Sequence, residues 1–183
     1  ETLEEIKDIE PSAVALGNFD GVHLGHQELI RQMVKTARER NLKAAVFTFS
    51  NHPKDLLPKE KKVKNILSRK EKAQIIESLD VDYLFNIEFT KAIMTMEPVD
   101  FIKKLLLDKF SMKAAFCGFN YHFGYKAQGN PDVLRNVGLE EDFDVTEMSA
   151  YKIKGNIVSS SMIRTLIASG QVEKCMTYMG RHY

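Results

Sequence analysis

Residues 16–30 read LGNFDGVHLGHQELI. An apolar run, AVAL at 13–16, ends at Gly17, and beyond His26 the apolar residues Leu29, Ile30, Met33, Val34 and Ala37 fall on one face of a helix that ends at Asn41. The stretch therefore predicts a buried strand, a glycine turn and a helix start, with His23 and His26 three residues apart at that start. Metal ligation and phosphate binding are the two chemical readings. A zinc pair on a helix is spaced i, i+4 with Glu between and needs further ligands. Here the spacing is i, i+3 across Leu24 and Gly25, and the nearest cysteine in the chain is Cys117, so no metal site is assigned. The phosphate reading fits better. A helix start at the carboxyl edge of a sheet offers unpaired amides and the positive end of the dipole, Gly17 and Gly25 let an anion approach the backbone, and both imidazoles can donate from the first turn. The plain alternative is that the histidines only cap or pack against the turn.

Outward from this point, apolar runs alternate with helical patterns. AAVFTF (44–49), DYLFNI (82–87), AAFCG (114–118) and FDVTEM (143–148) read as four more strands. SRKE (68–71) is a capping box opening a helix through Ile75, Ile76 and Leu79. Pro98 suits the first turn of a helix carrying Phe101, Ile102, Leu105 and Leu106. Asn130-Pro131 caps a short helix, and SSSMIRTLIASG (159–170) is a helix stopped by Gly170. The expectation is an α/β fold: one domain over 1–183 with a doubly wound, five-stranded parallel sheet of Rossmann-like type.

The 183 residues are 44% hydrophobic and 28% charged, with a formal net charge of +1. That balance suits a folded domain and gives no global field for nucleic acid or a membrane. No run has the length of a membrane span, and no signal peptide is visible. Cys117 and Cys175 read as reduced core thiols, and a cytoplasmic location is expected. The Lys-rich stretch 59–65 reads as a solvated loop.

GNFDGVHLGHQ resembles the first motif of the bacterial FAD synthetase family, the FMN adenylyltransferase module of the wider HxGH nucleotidyltransferases, with His23-Leu24-Gly25-His26 as HxGH. TFSNHP (48–53), GFNYHFG (118–124), VSSSMIR (158–164), FTKAIMTMEPVDFI (89–102) and MGRHY (179–183) resemble later family segments in order. Asn51 stands where proline is usual, His122 where Arg is common, Met162 where Arg is frequent and Ser161 where Thr is found.

The resemblance implies transfer of AMP from ATP to FMN, giving FAD and pyrophosphate, by direct in-line attack of the FMN phosphate on the α-phosphorus. His23, His26 and Arg164 are the expected catalytic groups. Gly17, Phe19, Asp20, Gly25, His26, Asn120, Ser159, Ser160, Ser161 and Arg164 are expected at ATP, with Mg2+ carried on its phosphates. His52, Pro53, Leu57, Phe101, Asn120, Tyr121 and Phe123 are the candidates for FMN, with ordinary core as the alternative for each aromatic. The partners implied are small-molecule nucleotides and, in a full-length protein, a riboflavin kinase domain for which this chain has no length left. Rival readings are another HxGH adenylyltransferase, acting on nicotinate mononucleotide or a pantetheine phosphate, and a non-catalytic flavin-binding domain.

Overall fold

The first strand, β1 (Ser12–Leu16), is buried along its whole length, as a central parallel strand covered on both faces must be. A computed structural model describes residues 6–51 and 64–183. In it, β1 is followed by α1 (Leu24–Glu39), β2 (Lys43–Phe49), α2 (Arg69–Glu77), β3 (Tyr83–Ile87), α3 (Lys91–Met94) and α4 (Pro98–Asp100). A π-helical stretch, Phe101–Leu107, continues α4 into β4 (Met112–Gly118), α5 (Pro131–Glu141) and β5 (Asp144–Met148). The five strands are all parallel, in the order β3-β2-β1-β4-β5. The chain thus winds outward from β1 to one side and then to the other, which makes the carboxyl ends of β1 and β4 the topological switch point, where ligands of such sheets bind.

Alternation along β1 divides the interior. Ala13 and Ala15 face Leu29, Ile30 and Met33 of α1, while Val14 and Leu16 face Phe101, Ile102 and Leu106. Alanines at 13, 15, 44 and 114 are fully buried or nearly so and let α1 lie close to the sheet. The capping box Ser68/Glu71 and the Asn130 cap with Pro131 form as expected. Asn41, at φ 54, takes the left-handed turn just past α1.

The helix expected after Pro98 departs from regular geometry. Its amides bond five residues back, Asp108 to Lys103 and Phe110 to Leu105. The wider turn brings Phe101, Leu105, Leu106 and Phe110, spaced by four and five, onto one fully buried side. Several elements escape the sequence reading, the short α3 among them. Lys152–Ile153 (β6) and Asn156–Ile157 (β7) form an antiparallel hairpin, whose two turn residues, Lys154 and Gly155, both have positive φ. After α6 (Ser160–Ala168), a further helix, α7 (Val172–Met179), packs Cys175 and Met179 on Ile163. Cys117 and Cys175 are both buried and unpaired. Among the described residues, no helix is long and apolar enough to cross a membrane.

Candidate nucleotide site

At the switch point lies a cleft of about 550 Å³. Its floor is the turn between β1 and α1. Phe19, Gly21 and Val22 there all have positive φ (46°, 82° and 36°). For Phe19 and the β-branched Val22 this costs on the order of 1–3 kcal/mol each, so surrounding contacts must fix the turn. They do so through its carbonyls. Asn18 accepts from Thr48 Oγ1 (2.9 Å), Asp20 from Ser160 Oγ (2.7 Å), Val22 from Gln27 Nε2 (2.9 Å), and Gly21 from Arg181 Nη2. Phe19 accepts from the Val22 amide and His23 from the Gln27 amide. Every carbonyl from Asn18 to His23 is thus taken up. None of the amides of Asn18, Phe19, Asp20, Gly21 and His23 donates to an acceptor among the described residues. The turn is sorted by polarity, acceptors spent and donors free, which suits an anion.

His23 is the N-cap of α1: its Nδ1 accepts from the His26 amide at 3.2 Å. The ring is therefore neutral with its proton on Nε2. His26 stacks on it, ring centroids 3.6 Å apart at 16°, and meets Phe19 edge-on at 5.2 Å. Burial lowers the His23 pKa from 6.5 to about 4. Burial first, then His23 and Lys72, holds His26 well below the ordinary range. Its Nδ1 is buried and has no partner among the described residues. Two neutral imidazoles side by side can donate hydrogen bonds without titrating near pH 7. A Cβ at Gly25 would lie 3.0 Å from Tyr151 Cβ and 3.3 Å from the His23 ring, so glycine there keeps the cleft open.

The opposite wall is α6. Ser159 is its N-cap, accepting from Met162 N at 3.2 Å, and Ser160 is held by the Asp20 carbonyl. Ser159, Ser160 and Ser161 all line the cleft. Arg164 does not. Its Nη2 pairs with Asp20 Oδ2 and its Nε donates to the Lys64 carbonyl at 3.1 Å. Asp20, 8% exposed, also accepts from Ile66 N at 2.9 Å. Asp20 and Arg164 thus join the turn to α6 beside the cleft.

Beyond β4, Asn120 and Tyr121 line the cleft, together with His122. Phe101 and Phe123 do not. They pack on each other at 5.2 Å, 1% and 6% exposed, within the core, where the plain core alternative places them. Met162 is half-buried on α6, and Asn51 bonds both backbone groups of Phe89, an anchor proline cannot make. His52, Pro53 and Leu57, and most of the Lys-rich stretch, lie outside the described residues.

Several cleft residues escaped the sequence reading, among them Phe49, Phe119 and Tyr151. Lys72, which lies beside the cleft in a smaller pocket with Asn18, Asp20 and Arg69, escaped it too. Its Nζ donates to Thr48 Oγ1 (3.1 Å) and the Phe49 carbonyl (2.8 Å), and burial lowers its pKa to about 8. A signal existed: Lys72 is a charge on the apolar stripe of Ile75, Ile76 and Leu79, and Gln27 a polar amide on that of Ile30.

Fold and site together define an α/β domain of the Rossmann-like class, with a cleft at the switch point whose free donors suit an anion. The family model for FAD synthetase matches residues 5–162, and the chain belongs to that family. It is 32% identical over 183 residues to a Listeria monocytogenes protein described as a bifunctional riboflavin kinase/FMN adenylyltransferase, covering 100% of this chain and 57% of that one. A Buchnera aphidicola protein of the same description is 31% identical over 173 residues, 94% of this chain and 55% of its own. A crystal structure from Streptococcus pneumoniae, described as a macrolide-efflux protein, superposes with a TM-score of 0.88 at 28% identity, over 97% of this chain and 58% of that one. The chain spans a little over half the length of the curated relatives it matches.

Proposed function

We propose that this chain is an FMN adenylyltransferase, joining AMP from ATP to FMN to give FAD and pyrophosphate. The observation that carries the reading is the stacked, neutral pair His23/His26 over a turn whose carbonyls are all spent. The ATP phosphates sit on the free amides and on His23 Nε2–H, with His26 donating where charge grows as an FMN phosphate oxygen bonds to the α-phosphorus and the bond to the bridging oxygen breaks. The protein positions the reactants and stabilises charge and forms no covalent bond. Ser161, at the open start of α6, faces the same phosphates. Asn120 contacts a base or ribose edge, and Phe49, Phe119 and Tyr121 supply apolar walls for rings. Arg164 acts in this reading through Asp20, holding α6 against the turn.

Among the described residues no three His, Cys, Asp or Glu side chains come together as metal donors; magnesium arrives on ATP, held by phosphate oxygens and water. The same reading assigns riboflavin kinase activity to the part of the relatives' length that this chain does not span. It places the protein in the cytoplasm, acting on small nucleotides and not on nucleic acid.

The test is pyrophosphate release on mixing the protein with FMN, ATP and magnesium, with FAD followed by chromatography. Stoichiometric FAD and pyrophosphate are expected. Flavin binding with no pyrophosphate would overturn the assignment in favour of a non-catalytic flavin-binding domain. Turnover of nicotinate mononucleotide or a pantetheine phosphate in place of FMN would move it to another HxGH enzyme.

A further inference from the structure

We propose that Arg181 is a positioning residue of the histidine turn, delivered to it by the segment that follows α7; the inference rests on the reading that this turn holds the ATP phosphates. Met179 ends α7 and Gly180 turns the chain at φ 69, packed so closely that a Cβ there would lie 2.8 Å from Leu24 Cδ2. Arg181 then reaches back across the fold. Its Nη1 donates to the carbonyl of Val22 (2.9 Å) and to that of Met179 (3.2 Å), and its Nη2 to that of Gly21. Gln27 closes the ring from α1, its Nε2 donating to the carbonyls of Val22 and Met179, each at 2.9 Å.

Gly21 and Val22 are two of the three residues held at positive φ, immediately before the His23 cap. A strained turn persists only where its surroundings over-determine it. Here the planar fork of one guanidinium spans two successive carbonyls from two separate nitrogens in a fixed geometry, which the single rotating ammonium of a lysine does not reproduce. Arg181 thus fixes the direction of the Gly21–Val22 and Val22–His23 peptides, and with them the free His23 amide and the ring plane of His23, from the side away from the ligand. Any loosening of this contact is felt at the ATP phosphates before it is felt at the flavin.

The experiment compares Arg181→Ala and Arg181→Lys with Cys175→Ala, which loosens the packing of α7 on α6 without touching the turn. For wild type and each variant, kcat and KM are measured separately for ATP and FMN, and amide hydrogen exchange over Gly21–His26 is followed. Arg181→Ala is expected to lower kcat/KM for ATP at least tenfold while KM for FMN stays within twofold. Exchange over the turn should speed up, and added guanidinium ion should restore part of the rate. Arg181→Lys should recover less than half of the loss. Cys175→Ala should lower Tm with neither effect. If Arg181→Ala and Cys175→Ala behave alike in both the ATP parameters and the exchange, Arg181 merely anchors α7 and the proposal fails. A wild-type protein that releases no pyrophosphate defeats the catalytic reading instead, and the exchange comparison then still decides whether Arg181 holds the turn.

Discussion

Two helix starts face each other across the cleft, and the sequence makes them look alike. One opens α1 with His23 and His26; the other opens α6 with three serines and Arg164. Both present a dipole, polar side chains and a cationic or neutral donor. In the structure their roles divide. At α1 the carbonyls are consumed and the donors remain. At α6 two side-chain donors are consumed, Ser160 on the Asp20 carbonyl and Arg164 on the Asp20 carboxylate and Lys64, while Ser161 lines the cleft. The first start keeps its donors free, which suits an anion, and the second is tied to the first through Asp20. Similar helix termini thus differ in function according to whether their polar groups are already satisfied by the protein.

The comparison breaks most readily at His26. His26→Ala is expected to lower the rate of adenylyl transfer by about a hundredfold to a thousandfold, the usual cost of one preorganised donor to developing charge. A folded variant with near wild-type kcat would remove α1 from its special position.

Acid should expose the same asymmetry through stability. His23 binds its proton less tightly folded than unfolded, so the unfolded chain holds more protons between pH 6.5 and about 4. Stability is therefore full above pH 6.5 and falls as pH drops toward 4, by about 3 kcal/mol from this group. His23→Asn keeps a capping acceptor and removes the titration. Its denaturation midpoint should change less between pH 7 and pH 4.5 than that of wild type, and equal slopes would refute the burial argument.

Arg164→Ala sharpens the division. It leaves the Asp20 carboxylate buried without its cation, and about 2 kcal/mol of stability should be lost in urea titrations. A lost rate with unchanged stability would instead mean that Arg164 meets the leaving pyrophosphate directly, and that α6 is a second anion site after all.

The smallest effect is expected from Ser159→Ala, about 1 kcal/mol for the loss of an N-cap, with little change in KM for ATP. A large rise in that KM would place the Ser159 hydroxyl on phosphate.

What could be read in advance follows from how local each cause is. The buried run of β1, the Ser68/Glu71 box, the Asn130-Pro131 start and the glycine turn before His23 are written in neighbouring residues, and each formed where it was expected. The π-helical turn at Phe101–Leu107 was not foreseen, because its wider winding is selected by the sheet face against which Phe101, Leu105 and Phe110 pack. The β6–β7 hairpin is too short to show a period, although Lys154-Gly155 marks its turn. Phe123 and Tyr121 stand two apart in one loop, yet one packs in the core and the other lines the cleft; nothing local distinguishes them.

The sequence alone determined the five strands and the main helices between them, the parallel sheet and the presence of two histidines at a glycine-bracketed helix start, since periodicity, caps and turn residues act over a few positions. Only the tertiary structure decided which polar groups stay free. Thr48, Ser160 and Arg181 lie far along the chain from the turn whose carbonyls they satisfy, and long-range hydrogen bonds leave no local pattern to read.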